Sequence, residues 1–376
     1  MGLAPAQDLA PRLAGVPLSD IEIPKGREED WRFTPLARLK GLTALTANPG
    51  AAGFAVNAPA GVEVSEGTAN FVFPTADRLA AAAVELSSTV LKVNIPKESV
   101  PTAPITLTLR AAADLGIARI EIHAEAYSKS TVLIDHVGAG TSAVAVHFVV
   151  DNSASLTVLS VQDGDRSQVI AGQHAFTLGP DATAEHFAIT LGGDLVRLVT
   201  TAEFTAPGAK VEFAGAFFTT DGQHHEHRLF VDHAVPNCTS YVVYKGALQD
   251  EGTHSVWIGD VLIRKAATGT STYELNRNLL LSDGARADSV PNLEIETGEI
   301  IGAGHAAATG RFDDEQIFYL TSRGIPETVA KRLVVAGFLN EVVNRIPLAE
   351  VRDRLLNSIE TRLGEVDPLF AELSND

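Results

Sequence analysis

The chain has 376 residues, 45% of them hydrophobic, and its 29 basic and 47 acidic residues give a net charge of −18. That much apolar material is enough for a sizeable core and excludes wholesale disorder. So acidic a surface repels phosphate backbones and argues against nucleic acid as the main partner. Cys238 is the only cysteine, so an intramolecular disulfide is excluded and a reducing compartment is compatible.

The opening stretch MGLAPAQDLAPRLAGVP lacks the basic and apolar regions of a secretory signal, and Ala6 stands where a myristoylation signal needs Ser or Thr. No window approaches the roughly 18 apolar residues of a bilayer span. The expectation is a soluble cytoplasmic protein of two or three structural units. Residues 1–95 read as a mixed N-terminal region. Leu9–Leu13 and Asp77–Leu86 predict helices, the second from its Ala-rich run. Between them GREEDWRFTPL (Gly26–Leu36) sets acidic residues before Trp31 and Phe33.

Residues 96–311 change texture. Ile120, Ile122, Ala124 and Ala126 alternate with Arg119, Glu121, His123 and Glu125, which is strand patterning. Val144, Val146, Phe148 and Val150 repeat it, as do Val211 and Phe213. Turn signals such as DNSA from Asp151, DGD from Asp163, GPDA from Gly179, GGD from Gly192 and APGA from Ala206 recur roughly every 12–16 residues, wider than the spacing in sandwiches and barrels. No repeat consensus links the segments. The pattern predicts a long all-β unit and leaves a parallel β-helix, a large sandwich and a barrel open.

Residues 312–376 predict helices. Asp313 with Gln316 resembles a capping box, Gly324 suits a left-handed C-terminal cap, and Pro326 suits the start of the next helix. Pro347 stops that helix, after which Leu348, Val351, Leu355, Ile359 and Leu363 share one face. These helices either dock a partner or cap the β body.

Several chemistries can be weighed on residue types. GAGHAAATG (Gly302–Gly310) reads as a small-residue loop isolating His305, but no Gly-Lys-Ser/Thr ending follows, which argues against a phosphate-binding loop. His224, His225 and His227 cluster around Glu226, with His233 nearby, and read as solvated loop histidines or, less simply, a metal site. In a strand His225 and His227 would share a face and His224 would point away. Cys238 cannot hold an iron–sulfur cluster alone and reads as a buried small hydrophobe or one ligand in an assembly. Asp283, Asp288, Glu294, Glu296 and Glu299 are scattered through the β region, which keeps open a β-helical carbohydrate-active or metal-dependent enzyme.

The segments NRNLLLSDGAR (Asn276–Arg286), VPNLEI (Val290–Ile295), DEQIFYLTSRGI (Asp314–Ile325) and NEVV (Asn340–Val343) resemble, in order and spacing, the C-terminal half of the SufB/SufD family, scaffold proteins of the SUF iron–sulfur cluster assembly machinery. EEDWRFTPL (Glu28–Leu36), VDHAVPNCTS (Val231–Ser240) and YKGAL (Tyr244–Leu248) agree, and the first of these is similar to the SufD branch. The resemblance implies a right-handed parallel β-helix core (96–311) between a small N-terminal α/β region (1–95) and a C-terminal helical domain (312–376). It implies a non-enzymatic scaffold paired with a SufB-like paralogue, with homodimers as the alternative when that partner is missing. A SufC-like ABC-type ATPase would supply ATP hydrolysis and dock on the helices, with Phe318, Tyr319, Arg323 and Gly324 as candidate dock residues. The family motif commonly reads Cys-Ser-His-Gly-Ala-Thr; here Ala303 replaces the cysteine and the histidine is His305. His305 is thus the candidate iron or cluster ligand at the SufB interface. The cluster is expected to be transient and shared with SufB, none is expected to stay on the isolated chain, and a flavin is an expected companion of the complex in some relatives.

Overall fold

Two nine-stranded sheets face each other, and apart from its second and third strands, which share a sheet, the chain alternates between them strand by strand. The computed structural model describes residues 13, 15–110, 115–311 and 314–365. The expected helix at Leu9–Leu13, apart from its last residue, and the Asp313 cap lie outside them.

Sheet one begins with β1 (Gly53–Asn57), β4 (Ile105–Arg110), β6 (Lys129–His136), β8 (Ser155–Gln162) and β10 (Thr183–Thr190). It continues through β12 (Lys210–Thr219), β14 (Thr239–Leu248) and β16 (Ser271–Leu280) to β18 (Gly302–Gly310). Sheet two begins with β2 (Glu63–Gly67), β3 (Val90–Ile95), β5 (Leu115–Ala124), β7 (Thr141–Val150) and β9 (Val169–Leu178). It continues through β11 (Leu195–Phe204), β13 (His224–His233) and β15 (His254–Ile263) to β17 (Arg286–Ile295). Pairing is parallel throughout, except for β1 on β4 and β2 on β3 at the N-terminal end. The fold is a parallel β-solenoid, which decides among the three all-β architectures left open by the pattern. The turn signals mark half-coils: each whole coil contributes one strand to each sheet.

Register sets the coil length. It runs from 26 residues, as between Thr177 and Glu203, to 32, as between Ser240 and Thr272. This drift explains why no fixed sequence repeat is visible. The repeat lies in the backbone instead. Glu98, Tyr127, Ser153, Asp181 and Asn237 all have positive φ and recur once per coil at one corner, where Gly208 and Gly269 take the same place. The corner N–H groups of Tyr127, Ser153 and Asp181 donate to the carbonyls of Asn152, Pro180 and Pro207 in the following coil. That ladder satisfies turn amides that would otherwise be unpaired.

Between the sheets lies the main core, aliphatic in its first coils (Ile105, Leu107, Ile120, Val146) and richer in rings further on (Phe148, Phe176, Phe213, Trp257). Phe148 and Phe176 stack with centroids 4.5 Å apart across neighbouring coils. Each sheet also carries a second layer outside. Sheet two is covered by α1 (Arg78–Leu86) and the N-terminal segment through Trp31, Leu39, Leu42 and Phe73. Asp77 caps α1 by accepting from the Ala80 N–H at 2.9 Å, as Ser/Asp-type caps do. Sheet one is covered by α3 (Glu327–Val343) and α4 (Ala349–Glu365), which set Val335, Leu339, Val343, Leu355 and Ile359 against Leu159, Phe187, Ile189 and Phe218. Strands covered on both faces need no alternation, so all ten residues of β7 are buried.

Between β18 and α3 runs α2 (Asp314–Ser322). It ends as expected: Gly324 takes φ +85°, its N–H donates to the Thr321 carbonyl, and the Ile325 N–H donates to the Leu320 carbonyl. These two bonds make a Schellman cap.

Candidate functional site

The solenoid ends on two strands that have a neighbour on one side only. β17 pairs with β15 and β18 with β16, and nothing described pairs with their outer edges. Each edge is a row of open backbone donors and acceptors, the arrangement that takes up another strand. Gly302–Gly310 was expected to be a loop around His305; it is a strand. Gly and Ala are weak strand formers, but in-register pairing with Ser271–Leu279 holds the segment extended. None of its residues has positive φ, so no turn is built there.

Register also fixes where its side chains point. On β16, Thr272, Glu274, Asn276 and Asn278 are buried and face the solenoid interior, while Tyr273 is exposed outside. Their partners Ala303, His305, Ala307 and Thr309 share that inward face. Asn278 Nδ2 donates to Thr309 Oγ1 at 3.3 Å, consistent with this orientation. With no further coil above it, His305 is exposed at the mouth of the interior. Its inward column runs back through Glu274, Val242, Phe213, His186, Val158 and Val132.

Below the mouth the interior is polar. Ser289 Oγ on β17 donates across to Asn276 Oδ1 at 2.7 Å, and Asn278 Nδ2 donates to the same oxygen at 2.7 Å. Glu274 stands apart. It is 1% exposed, and neither carboxylate oxygen has a hydrogen-bond partner. Gly259 opposite has no Cβ to intrude: one placed there would lie 2.8 Å from Glu274 Oε1. Burial, with a contribution from Asp260, pushes the Glu274 carboxyl up to about 8. Burial likewise raises Asp260, to about 6, although Asn292 Nδ2 donates to it at 2.6 Å. Sequence reading missed Glu274. The alternation of polar residues at 272, 274, 276 and 278 was its only local signal, and linking it to His305 requires the register.

The other candidates fall elsewhere. The HHEH histidines are buried in β13 rather than solvated in a loop: His225 and His227 face the solenoid interior, His227 against Phe217 and Tyr244, while His224 lies beside Glu226 on the face that the N-terminal segment covers. His225 and His227 do share a face. Glu226, pointing the other way, lies 3.2 Å from Arg197 and 3.5 Å from Arg228, and accepts from Thr34 Oγ1 at 2.8 Å. Burial opposes its charge, but Arg197, His224 and Arg228 outweigh that and hold its pKa down at about 2. Arg197 also pairs with Asp77 and lies 4.1 Å over the Trp31 ring. The EEDWRFTPL segment therefore clamps onto sheet two through a compensated buried ion network. Cys238 sits in the core, its thiol aimed at the Ala206 and Pro236 carbonyls, and burial pushes its pKa up. That is an inert thiol. Among the scattered carboxylates, Asp283 pairs with Arg311, and Asp288 with His254 and Arg286; neither faces a second carboxylate as a hydrolytic pair would. Among the described residues, no group of three or more His, Cys, Asp or Glu converges on one metal position.

A second surface lies on α2. Phe318 is 73% exposed and Tyr319 54%, and the Arg323 guanidinium stacks 4.5 Å over the Tyr319 ring. Gly324 closes the same helix. The fold thus brings the four candidate dock residues together on the side of the helical layer away from the core.

Comparison with known proteins adds three findings. Residues 107–338 match the family model described as SUF system FeS cluster assembly, SufBD core domain. An iron–sulfur cluster assembly SufBD family protein of Mycobacterium tuberculosis is 46% identical, with 91% of this chain and 90% of that protein covered. The proteins named SufD in Bacillus subtilis and Escherichia coli are 39% and 29% identical over 33% and 50% of this chain, and over 28% and 44% of their own lengths.

Proposed function

This chain belongs to the SufB/SufD family of the SUF iron–sulfur cluster assembly system, and on that premise we propose that it is a SufD-type scaffold subunit whose open solenoid end is completed by a SufB-like paralogue. The observation that carries this reading is the pair of unpaired edge strands, β17 and β18, with His305 at the mouth between them. A second parallel solenoid can add its own last strands there, and both proteins then bury an interior that each leaves open. The relatives named SufD favour that branch.

In this reading His305 contributes an imidazole nitrogen to iron or to a nascent cluster, and Ala303 leaves thiolate donation to the partner. The exposed aromatics of α2 dock a SufC-like ATPase, which supplies the nucleotide chemistry. No described helix is long and apolar enough to cross a membrane, and we place the complex in the cytoplasm.

Co-expression with SufB- and SufC-like proteins tests the assignment. Recovery of a three-component complex is expected, with ATP turnover only when the SufC-like subunit is present. His305→Ala should reduce cluster formation, read by visible absorption after anaerobic reconstitution, while the complex still assembles. Undiminished cluster formation removes the ligand role. Phe318→Glu should release the ATPase and leave the SufB-like partner bound; retained ATPase places the dock elsewhere.

A further inference from the structure

We propose that Glu274 and His305 together form this subunit's half of a binding site for divalent iron, with the remaining coordination positions left to water and to the partner at the open end. The inference rests on the reading of His305 as a ligand and adds a second, anionic donor to it.

Register supplies the geometry. Glu274 and His305 are directly paired on adjacent parallel strands and face the same way. Neighbouring strands are about 4.8 Å apart, so the two side chains leave the backbone within reach of one ion. Ala303 and Ala307, the inward neighbours of His305 on β18, keep the space beside the ring small-walled.

The state of Glu274 supplies the second, independent observation. A buried carboxylate is expected to be hydrogen-bonded, ion-paired or on a metal. Glu274 is 1% exposed, accepts no hydrogen bond on either oxygen, and forms no ion pair among the described residues. Elsewhere in the molecule buried charges are compensated: Glu226 by Arg197 and Arg228, and Lys245 by Glu341. Burial keeps a proton on Glu274 when nothing else is bound; a cation that displaced it would have to come from outside the chain, and His305 is its directly paired neighbour on the last strand.

The donor set then narrows the ligand. One carboxylate oxygen and one imidazole nitrogen, with alanine at the family's cysteine position, suit ferrous iron better than a soft, thiolate-seeking ion. Two donors do not saturate iron, so the ion would be held loosely until the partner adds the rest. Such a half-site fits delivery of iron into a shared centre better than its storage.

The test is anaerobic titration of the full chain with ferrous iron, and with Co2+ as a spectroscopic probe of nitrogen and oxygen coordination. The wild-type chain should show one saturable site. His305→Ala, Glu274→Gln and Glu274→Leu should each weaken it by at least about tenfold and abolish the Co2+ spectrum. Glu274→Leu replaces an unpaired buried carboxyl with an apolar side chain, so its thermal midpoint should equal or exceed the wild type and show that the solenoid is intact. If both Glu274 variants bind iron like the wild type while His305→Ala does not, the two-residue site is overturned and His305 stands alone. If His305→Ala binds normally, the site and the underlying ligand reading both fail. A wild-type chain with no saturable site overturns the proposal and confines any role of His305 to a centre built by the partner.

Discussion

The middle coils and the last coil share one backbone plan and differ in what covers them. In β7 every residue is buried, with the second sheet on one side and α1 with the N-terminal segment on the other. Charges taken under such layers are compensated within the chain, as Glu226 is by Arg197 and Arg228. In β17 and β18 no layer among the described residues covers the outside, the ladder stops, and every residue is half-buried or exposed. There the interior turns polar and leaves Glu274 unpartnered. A solenoid that only had to be stable would close this end with an apolar or capped coil. On the proposed reading, the edge strands exposed here over a polar interior are finished by another molecule.

Acid should attack the covered interior first and hardest. His136, His147, His227 and His233 are held down at about 4 and His186 at about 3, burial being the main cause in each. Their folded values lie below the ordinary 6.5, so the unfolded chain binds more protons between about 4 and 6.5 and stability falls as pH drops through that window. Each such histidine contributes up to about 1.4 kcal/mol per pH unit. Below about 4.5 the loss of the Glu226 charge adds to the effect. Urea midpoints measured from pH 7 to 4.5 should therefore fall steeply; a flat profile would mean that these rings are hydrated.

Breaking the compensated network should be the next largest effect. Glu226→Ala leaves Arg197 and Arg228 short of a counter-charge beneath Trp31 and should cost about 3–5 kcal/mol, read by denaturant unfolding. A loss below about 1 kcal/mol would show that the N-terminal clamp contributes little.

At the open end the sign reverses. The folded value of Glu274, about 8, lies above the ordinary 4.5, so its contribution to stability is fully present below about 4.5 and is lost as pH rises through 8. Glu274→Leu should flatten the decline between about pH 4.5 and 8 and raise stability at pH 8 by about 1 kcal/mol or more. An unchanged slope in that window would mean that the carboxyl finds a partner in solution. His305→Ala, at an exposed edge, should shift stability by no more than about 0.5 kcal/mol; a larger loss would make His305 a packing residue.

Much of this was legible in the residues. Alternation in Ile120–Ala126 announced strands, the Ala-rich run after Asp77 announced α1, and Gly324 and Pro326 marked a helix end and the next start. The family motifs led to His305 and to α2. These signals are local, because propensity, capping and period act within a few residues. Three other features were not legible for a common reason. The strand at Gly302–Gly310 contradicts its own propensity and exists because β16 pairs with it. The HHEH histidines look solvated until register turns His225 and His227 into the solenoid interior and Thr34, almost two hundred residues earlier, is laid over the opposite face at Glu226. Glu274 looks like one more polar strand residue until the register sets it beneath His305.

The sequence by itself determined the family, the all-β body with its terminal helices, and the one histidine worth testing. The tertiary structure decided which faces are covered, which end stays open and which carboxylate stands beneath that histidine. Those are properties of register between coils 26 to 32 residues apart, and a coil length that drifts leaves no fixed spacing for the eye to read along the chain.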